Sequence, residues 1–204
     1  MNSAWSATPL DIYEAHVNLP QVGQAAAIRA SLAAAAAHYR PASLLYLGCA
    51  GGNGLDSFPP SVRIEAVDLN AGYLESARSR FPHLDLRPHA ADLNQGLPGF
   101  APVDFAFAAL VLEYINPLEP LLTALHTRAA HFRVLLLGTN SGAPAVVDSP
   151  YREALLPVGA EFRYLDPEAF LSLASSCGWH LTSSSQSPLP AGKHFTTIDL
   201  KSSV

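Results

Sequence analysis

The sequence predicts a doubly wound α/β domain: a mostly parallel, seven-stranded sheet that ends in an antiparallel C-terminal hairpin and is preceded by a helical leader. Three observations carry this reading. Apolar runs of strand length alternate with amphipathic stretches of helix length from about residue 43 onward. The first run, LLYLG (44–48), is continuously apolar, as a strand buried on both faces requires. A glycine-rich turn, GCAGGNG (48–54), follows it at once, and in open parallel sheets such turns bring bare backbone against a ligand.

In chain order, Thr8-Pro9-Leu10-Asp11 reads as a helix start, with Thr8 as cap and Pro9 at the first helical position. A short helix follows to about Val17. Pro20 separates it from an Ala-rich helix over roughly 21–39, which Pro41 ends. After the first strand comes RIEAVD (63–68). Asn70 then caps a helix with Leu74, Ala77 and Phe81 on one face, stopped by Pro82. LDLRPH (84–89) and VDFAFAAL (103–110) are the third and fourth strands. Asn116-Pro117 opens a helix with Leu118, Leu121, Leu122 and Leu125 on one side, and FRVLLLG (132–138) is the fifth strand.

Residues 139–165, with Pro144, Pro150 and Pro157, read as a long loop of the kind that usually serves function, with Tyr151 and Arg152 as candidates to line a lid. Asp166-Pro167-Glu168 opens a helix carrying Phe170, Leu171 and Ala174. WHLTSSS (179–185) and HFTTIDL (194–200), joined by the turn-rich SPLPAGK, form the hairpin. The whole chain, 1–204, reads as one domain, with residues 1–40 as leader or lid and 41–204 as the ligand-binding core.

Composition narrows the function. The net charge is −5, and the lysines are Lys193 and Lys201 alone, so no broad phosphate-binding surface and no nucleic-acid partner is expected. Cys49 and Cys177 make neither a disulfide framework nor a zinc site, and the histidines lack metal-ligand spacing. No secretory signal and no membrane-spanning run is apparent, and a cytoplasmic, soluble protein is expected. Nothing in the sequence speaks to oligomeric state.

Asp68 closes the second strand 20 residues after Gly48, the spacing of an acid that holds a ribose. Three ligands compete for the turn. A phosphate loop of the Walker type needs Lys and then Ser or Thr after its last glycine, and Leu55-Asp56 stands there instead. A dinucleotide turn needs GxGxxG, and Ala50 and Asn53 break it. Asp56 and the lack of any Lys or Arg between Arg40 and Arg63 also disfavour a pyrophosphate. A nucleoside without phosphate but with a positive charge, S-adenosylmethionine, suits a turn with no cations.

At these residues the sequence resembles the class I S-adenosylmethionine-dependent methyltransferases. LGCAGGNGL resembles their first motif, EAVDLN the second, HAADLNQGLP the third, and VDFAFAALVLEYI the fourth strand and its exit. The resemblance spans about residues 43–200. The leader DIYEAHVNLPQVGQ also resembles that of a small bacterial subgroup with an LGCAGGNG motif. It implies a Rossmann-like methyltransferase fold and methyl transfer from S-adenosylmethionine to O, N or S of a small molecule, leaving S-adenosylhomocysteine, without a metal.

The resemblance places Gly48, Cys49, Ala50, Gly51, Gly52 and Asn53 against the donor, Asp68 and Leu69 at its ribose, and Asp92 and Leu93 at its adenine. Ala109 and Leu110 fall beside the methionine part. Glu113, Tyr114 and His16 are the candidates to meet the acceptor, the first and last as general bases. The sequence departs from the motif at Tyr46, where the family carries an acid, and at Ala50, where it carries glycine. Asp56 is one candidate to replace the acid. Two other readings stay open: a domain that binds the donor or its product without catalysis, and a nicotinamide-dependent oxidoreductase, which the broken GxGxxG disfavours.

Overall fold

The computed structural model describes residues 3–139, 142, 146 and 149–203, and among them seven strands form one sheet. These are β1 (Ser43–Leu47), β2 (Arg63–Asp68), β3 (Asp85–Ala90), β4 (Val103–Ala109), β5 (Ala129–Thr139), β6 (Trp179–Leu189) and β7 (Lys193–Ser202). Their order is β3-β2-β1-β4-β5-β7-β6. The first five run parallel, and β7 lies antiparallel between β5 and β6. Ala191 and Gly192, both at positive φ (59° and 70°), turn the expected hairpin.

The helices are α1 (Leu10–Val17), α2 (Gln24–Tyr39), α3 (Ala71–Arg80), α4 (Glu119–His126), α5 (Arg152–Glu161) and α6 (Pro167–Ser176). All five residues of β1 are buried, and its pleat divides them between two layers. Leu44 and Tyr46 pack with Ile28 and Leu32 of α2 and Leu74 of α3. Leu45 and Leu47 pack on the other face with Leu121, Leu122 and Leu125 of α4 and Phe170 of α6. A fully buried leucine in either layer contributes about 1.5–3 kcal/mol, so the central strands are held from both sides and their carboxyl ends form a rigid platform.

Local signals explain most helix boundaries. Asn70 accepts a hydrogen bond from the Gly72 N–H (3.0 Å), and Asp166 accepts one from the Ala169 N–H (2.8 Å), as N-caps do. Three boundaries differ from the sequence expectation. Thr8 does not cap α1: its hydroxyl donates back to the Ala4 carbonyl (3.0 Å), and Pro9 stands at the cap. Asn116-Pro117 is a cis turn, and α4 begins after it at Glu119 with Pro120 in its first turn. The stretch expected as a long loop contains α5, which accommodates Pro157 inside it. Pro144 of that stretch lies outside the described residues.

Candidate functional site

β1 is flanked by β2 on one side and β4 on the other, so the chain leaves it in one direction and returns past it in the other. Open α/β sheets bind ligands at that crevice, beyond the carboxyl ends of the strands. A cavity of about 520 Å³ opens there, within the roughly 300–1,000 Å³ that small-molecule sites occupy. Its floor comes from four strand exits: Gly48 and Ala50 after β1, Asp68 and Leu69 at the end of β2, Asp92 and Leu93 after β3, and Ala109 and Leu110 after β4. Its roof comes from the leader, with Trp5 and Tyr13, and from Tyr114 and Glu161.

Asp68 is the anchor of the floor. One carboxylate oxygen accepts the Ala50 N–H (2.9 Å) and the other the Asn70 N–H (2.9 Å), which ties the turn after β1 to the start of α3. Burial pushes its pKa up, and these backbone N–H groups work against that rise. The charged side chains on the cavity wall are Asp68, Asp92 and Glu161; no Lys or Arg is among its described lining residues. Such a wall favours a cation and repels phosphate.

The backbone is unusual where the floor is tightest. Gly48 has φ +63°, and a Cβ there would lie 2.7 Å from the Val111 side chain. Ala50 (φ 47°) and Leu110 (φ 58°) adopt left-handed conformations that non-glycine residues rarely hold. Both line the cavity, and strain of this kind concentrates where a ligand or partner requires it.

The rest of the glycine turn faces the protein itself. A Cβ on Gly51 would meet Glu14 of α1, which pairs with Arg80 (2.7 Å), and one on Gly52 would meet Phe81. Cys49 is 1% exposed and belongs to the core. Asn53 donates to the Ala25 carbonyl (3.2 Å) and accepts from Arg29 (3.0 Å), so it fastens the turn to α2. Cys49, Gly51, Gly52 and Asn53 therefore do not line the cavity, because leader and α3 pack against the space that small side chains leave there. The Tyr46 hydroxyl donates to the Asn53 carbonyl (3.2 Å), and burial pushes its phenol up, so a neutral ring supports the turn where an acid was anticipated. Asp56 lies exposed on a 3₁₀ turn and lines no cavity.

At the far end Asp92 accepts from the Asn94 N–H (2.9 Å) and side-chain amide (3.1 Å) through one oxygen, a local turn that still leaves the residue on the cavity wall. Asn94 and Gln95 also line this end. Their place directly after Asp92-Leu93 was the available sequence signal. The roof is a strap: Glu161 accepts from the Ser3 hydroxyl (2.6 Å) and the Ala4 N–H (2.7 Å), and Asn70 donates to the Trp5 carbonyl (3.1 Å). Trp5 packs edge-on against Tyr13 and Tyr114, with centroids 5.2 and 5.5 Å apart. Nothing in the sequence marked Ser3, Trp5 or Glu161.

The three acceptor candidates separate. Tyr114 lines the cavity, and burial pushes its phenol up. Glu113 lines neither this cavity nor the smaller one beside it. The 3₁₀ turn Leu112–Tyr114 sends its carboxylate inward, where one oxygen accepts the Leu137 N–H (3.0 Å) and the other has no partner among the described residues. It is fully buried, and burial pushes its pKa up to about 7. His16 lines the smaller cavity, of about 60 Å³, with its Nδ1 3.0 Å from the Ser149 hydroxyl. Burial and nearby Lys193 push its pKa down. Tyr151 and Arg152 stand at the start of α5 and line neither cavity. Among the described residues no three His, Cys, Asp or Glu side chains gather as metal ligands, and no helix is long and apolar enough to cross a membrane.

Among solved structures, the chain is similar to magnesium protoporphyrin IX methyltransferase from Synechocystis PCC 6803 with S-adenosylmethionine bound. The TM-score is 0.70 at 11% identity, over 98% of this chain and 93% of that one. The chain has the class I methyltransferase fold. It is also similar to the 1,6-didemethyltoxoflavin-N1-methyltransferase of Burkholderia thailandensis with its substrate and S-adenosylhomocysteine bound (TM-score 0.68, 19% identity, 98% and 88% covered). A third is the N-methyltransferase NodS from Bradyrhizobium japonicum WM9 (0.67, 13%, 92% and 90%). By sequence, no protein-family model and no curated protein matches the chain. At these identities the likeness concerns the methyltransferase fold itself, and the chemistry rests on the residues of the cavity.

Proposed function

We propose that this chain is a methyltransferase that takes its methyl group from S-adenosylmethionine and delivers it to O, N or S of a small molecule. The observation that carries this is the cavity at the strand exits, with carboxylates and bare backbone on its wall and no cation among its described lining residues. The residues fit the donor. Asp68 would hold the ribose hydroxyls, Asp92 and Leu93 the adenine, and Gly48 and Ala50 of the floor, with Ala109 and Leu110, the methionine part. A phosphate-bearing nicotinamide cofactor would meet the same carboxylates as like charges. The resemblance to class I methyltransferases through four ordered motifs supports the same reading, and the leader with LGCAGGNG points to the small bacterial subgroup.

When bound, the donor supplies a methyl carbon already activated by its sulfonium. The chain's part is to hold the acceptor in line and to keep water out, and positioning of that kind is worth about 7–11 kcal/mol. Trp5, Tyr13 and Tyr114 roof the cavity with aromatic side chains, and the bonds from Ser3 and Ala4 to Glu161 tie the leader across it. That the fold neighbours named above are methyltransferases of 1,6-didemethyltoxoflavin and of magnesium protoporphyrin IX supports a small-molecule acceptor.

Thermal melting with S-adenosylhomocysteine, adenosine and NAD⁺ tests the proposal. A ligand at 100 times its Kd stabilises by about 2.7 kcal/mol, so a clear rise in Tm is expected with S-adenosylhomocysteine and none with NAD⁺. No rise with S-adenosylhomocysteine would overturn it.

A further inference from the structure

The smaller cavity lies directly behind the roof of the larger one. Trp5, Tyr13, Leu110 and Tyr114 line both and form the partition between them. Among its described lining residues Leu137, Leu155 and Phe162 are apolar, and His16 and Gln24 are buried and polar. Both are buried polar residues, 5% and 6% exposed. His16 spends Nδ1 on Ser149, and neither its Nε2 nor the Gln24 amide has a hydrogen-bond partner among the described residues. Polar side chains that line an apolar cavity without a protein partner are available to fix a ligand group.

Size and shape limit that ligand. A cavity needs roughly 10–15 Å³ of such space per water molecule, so about 60 Å³ holds four to six waters, the bulk of one six-membered ring. Tyr114 stands edge-on to Trp5 and to Phe162, with interplanar angles of 81° and 78°, an arrangement that leaves flat faces for a further ring. Lys193 is close enough to His16 to push its pKa down. A neighbouring cation favours a group that develops negative charge over one that develops positive charge.

We infer that the smaller cavity seats the methyl acceptor, and that the acceptor is a compound with a single aromatic ring bearing a hydroxyl at one end, which pairs with His16 and Gln24, and its nucleophilic O, N or S at the other, which faces the donor. This rests on the methyltransferase reading for its role, though not for its binding. The ring enters past the Trp5–Tyr114 partition, and the hydroxyl end reaches the two buried polar groups.

The test is calorimetric titration of the full chain with 4-ethylphenol and with 4-ethylaniline, which match in shape, each with and without saturating S-adenosylhomocysteine. One-to-one binding of the phenol at least tenfold tighter than the aniline is expected. Gln24→Leu and His16→Phe should each weaken the phenol at least tenfold and leave S-adenosylhomocysteine affinity within threefold, with quenching of Trp5 emission as a second readout and Trp5→Phe as its control. Absence of phenol binding to the unaltered chain, equal binding of phenol and aniline, or phenol affinity unchanged in both variants would overturn the inference. Loss of S-adenosylhomocysteine binding in the unaltered chain would instead sink the methyltransferase reading, and phenol binding measured alone keeps the two failures apart.

Discussion

Asp68→Ala is the perturbation with the clearest expected cost. The carboxylate holds two backbone N–H groups at 2.9 Å, on Ala50 and Asn70, and the residue is 9% exposed. A hydrogen bond to a charged group is worth about 1.5–3 kcal/mol. In the proposed complex the same carboxylate also receives the ribose hydroxyls, and losing that contact should raise the S-adenosylhomocysteine Kd by about 10- to 150-fold. The two N–H groups left without an acceptor should cost about 2–4 kcal/mol of stability, since Ala50 borders the cavity and its N–H gains partial hydration. Asp68→Asn, which keeps one acceptor oxygen, should fall between on both counts. Calorimetry at a temperature where melting shows each variant fully folded separates the two effects. S-adenosylhomocysteine affinity within threefold of the unaltered chain in Asp68→Ala would refute the assignment of Asp68 to the ligand.

Three further outcomes follow from the structure. Glu113 is lifted from 4.5 to about 7 by burial, a rise worth about 3 kcal/mol at ~1.4 kcal/mol per pH unit. A raised folded-state pKa means that folded Glu113 keeps its proton where unfolded Glu113 loses it, so its contribution is full below about pH 4.5 and is lost as pH climbs through 7. Denaturant unfolding between pH 4.5 and 8 should therefore show a decline that Glu113→Gln flattens, and an unchanged slope would contradict this. Gly48→Ala sets a methyl group against Val111 at positive φ and should cost about 1–3 kcal/mol by overpacking, read as a lower denaturant midpoint. Glu161→Ala removes the acceptor for Ser3 and Ala4, so hydrogen exchange over residues 3–8 should quicken at least tenfold while Tm stays nearly constant, since these bonds are exposed.

The sheet was legible because each parallel strand is buried on both faces and so reads as an unbroken apolar run; RIEAVD matches β2 to the residue. The placement of Asp68 and Asp92 on the cavity wall was legible because each stands at a strand exit within a local motif. What the glycine turn does was only half legible. Gly48 and Ala50 face the cavity, whereas Gly51 and Gly52 make room for Glu14, Arg80 and Phe81, and a small residue looks the same in sequence whichever neighbour needs the space. α5 was hidden by three prolines, although Pro150 precedes it and α5 accommodates Pro157 at its middle. The roof left no local trace, because its fastening joins Ser3 to Glu161 across 158 positions. Glu113 misled for a related reason: its place after β4 matched an acceptor residue, but one step of 3₁₀ rotation decides between cavity and core.

A crystal structure of the chain grown with S-adenosylhomocysteine tests the central claim most directly. Adenosyl density is expected in the cavity of about 520 Å³ between the exits of β1 and β4, with ribose hydroxyls within hydrogen-bond reach of Asp68 and the sulfur facing the Trp5–Tyr114 partition. A cavity that holds only solvent at saturating ligand, or ligand bound elsewhere on the chain, would contradict it.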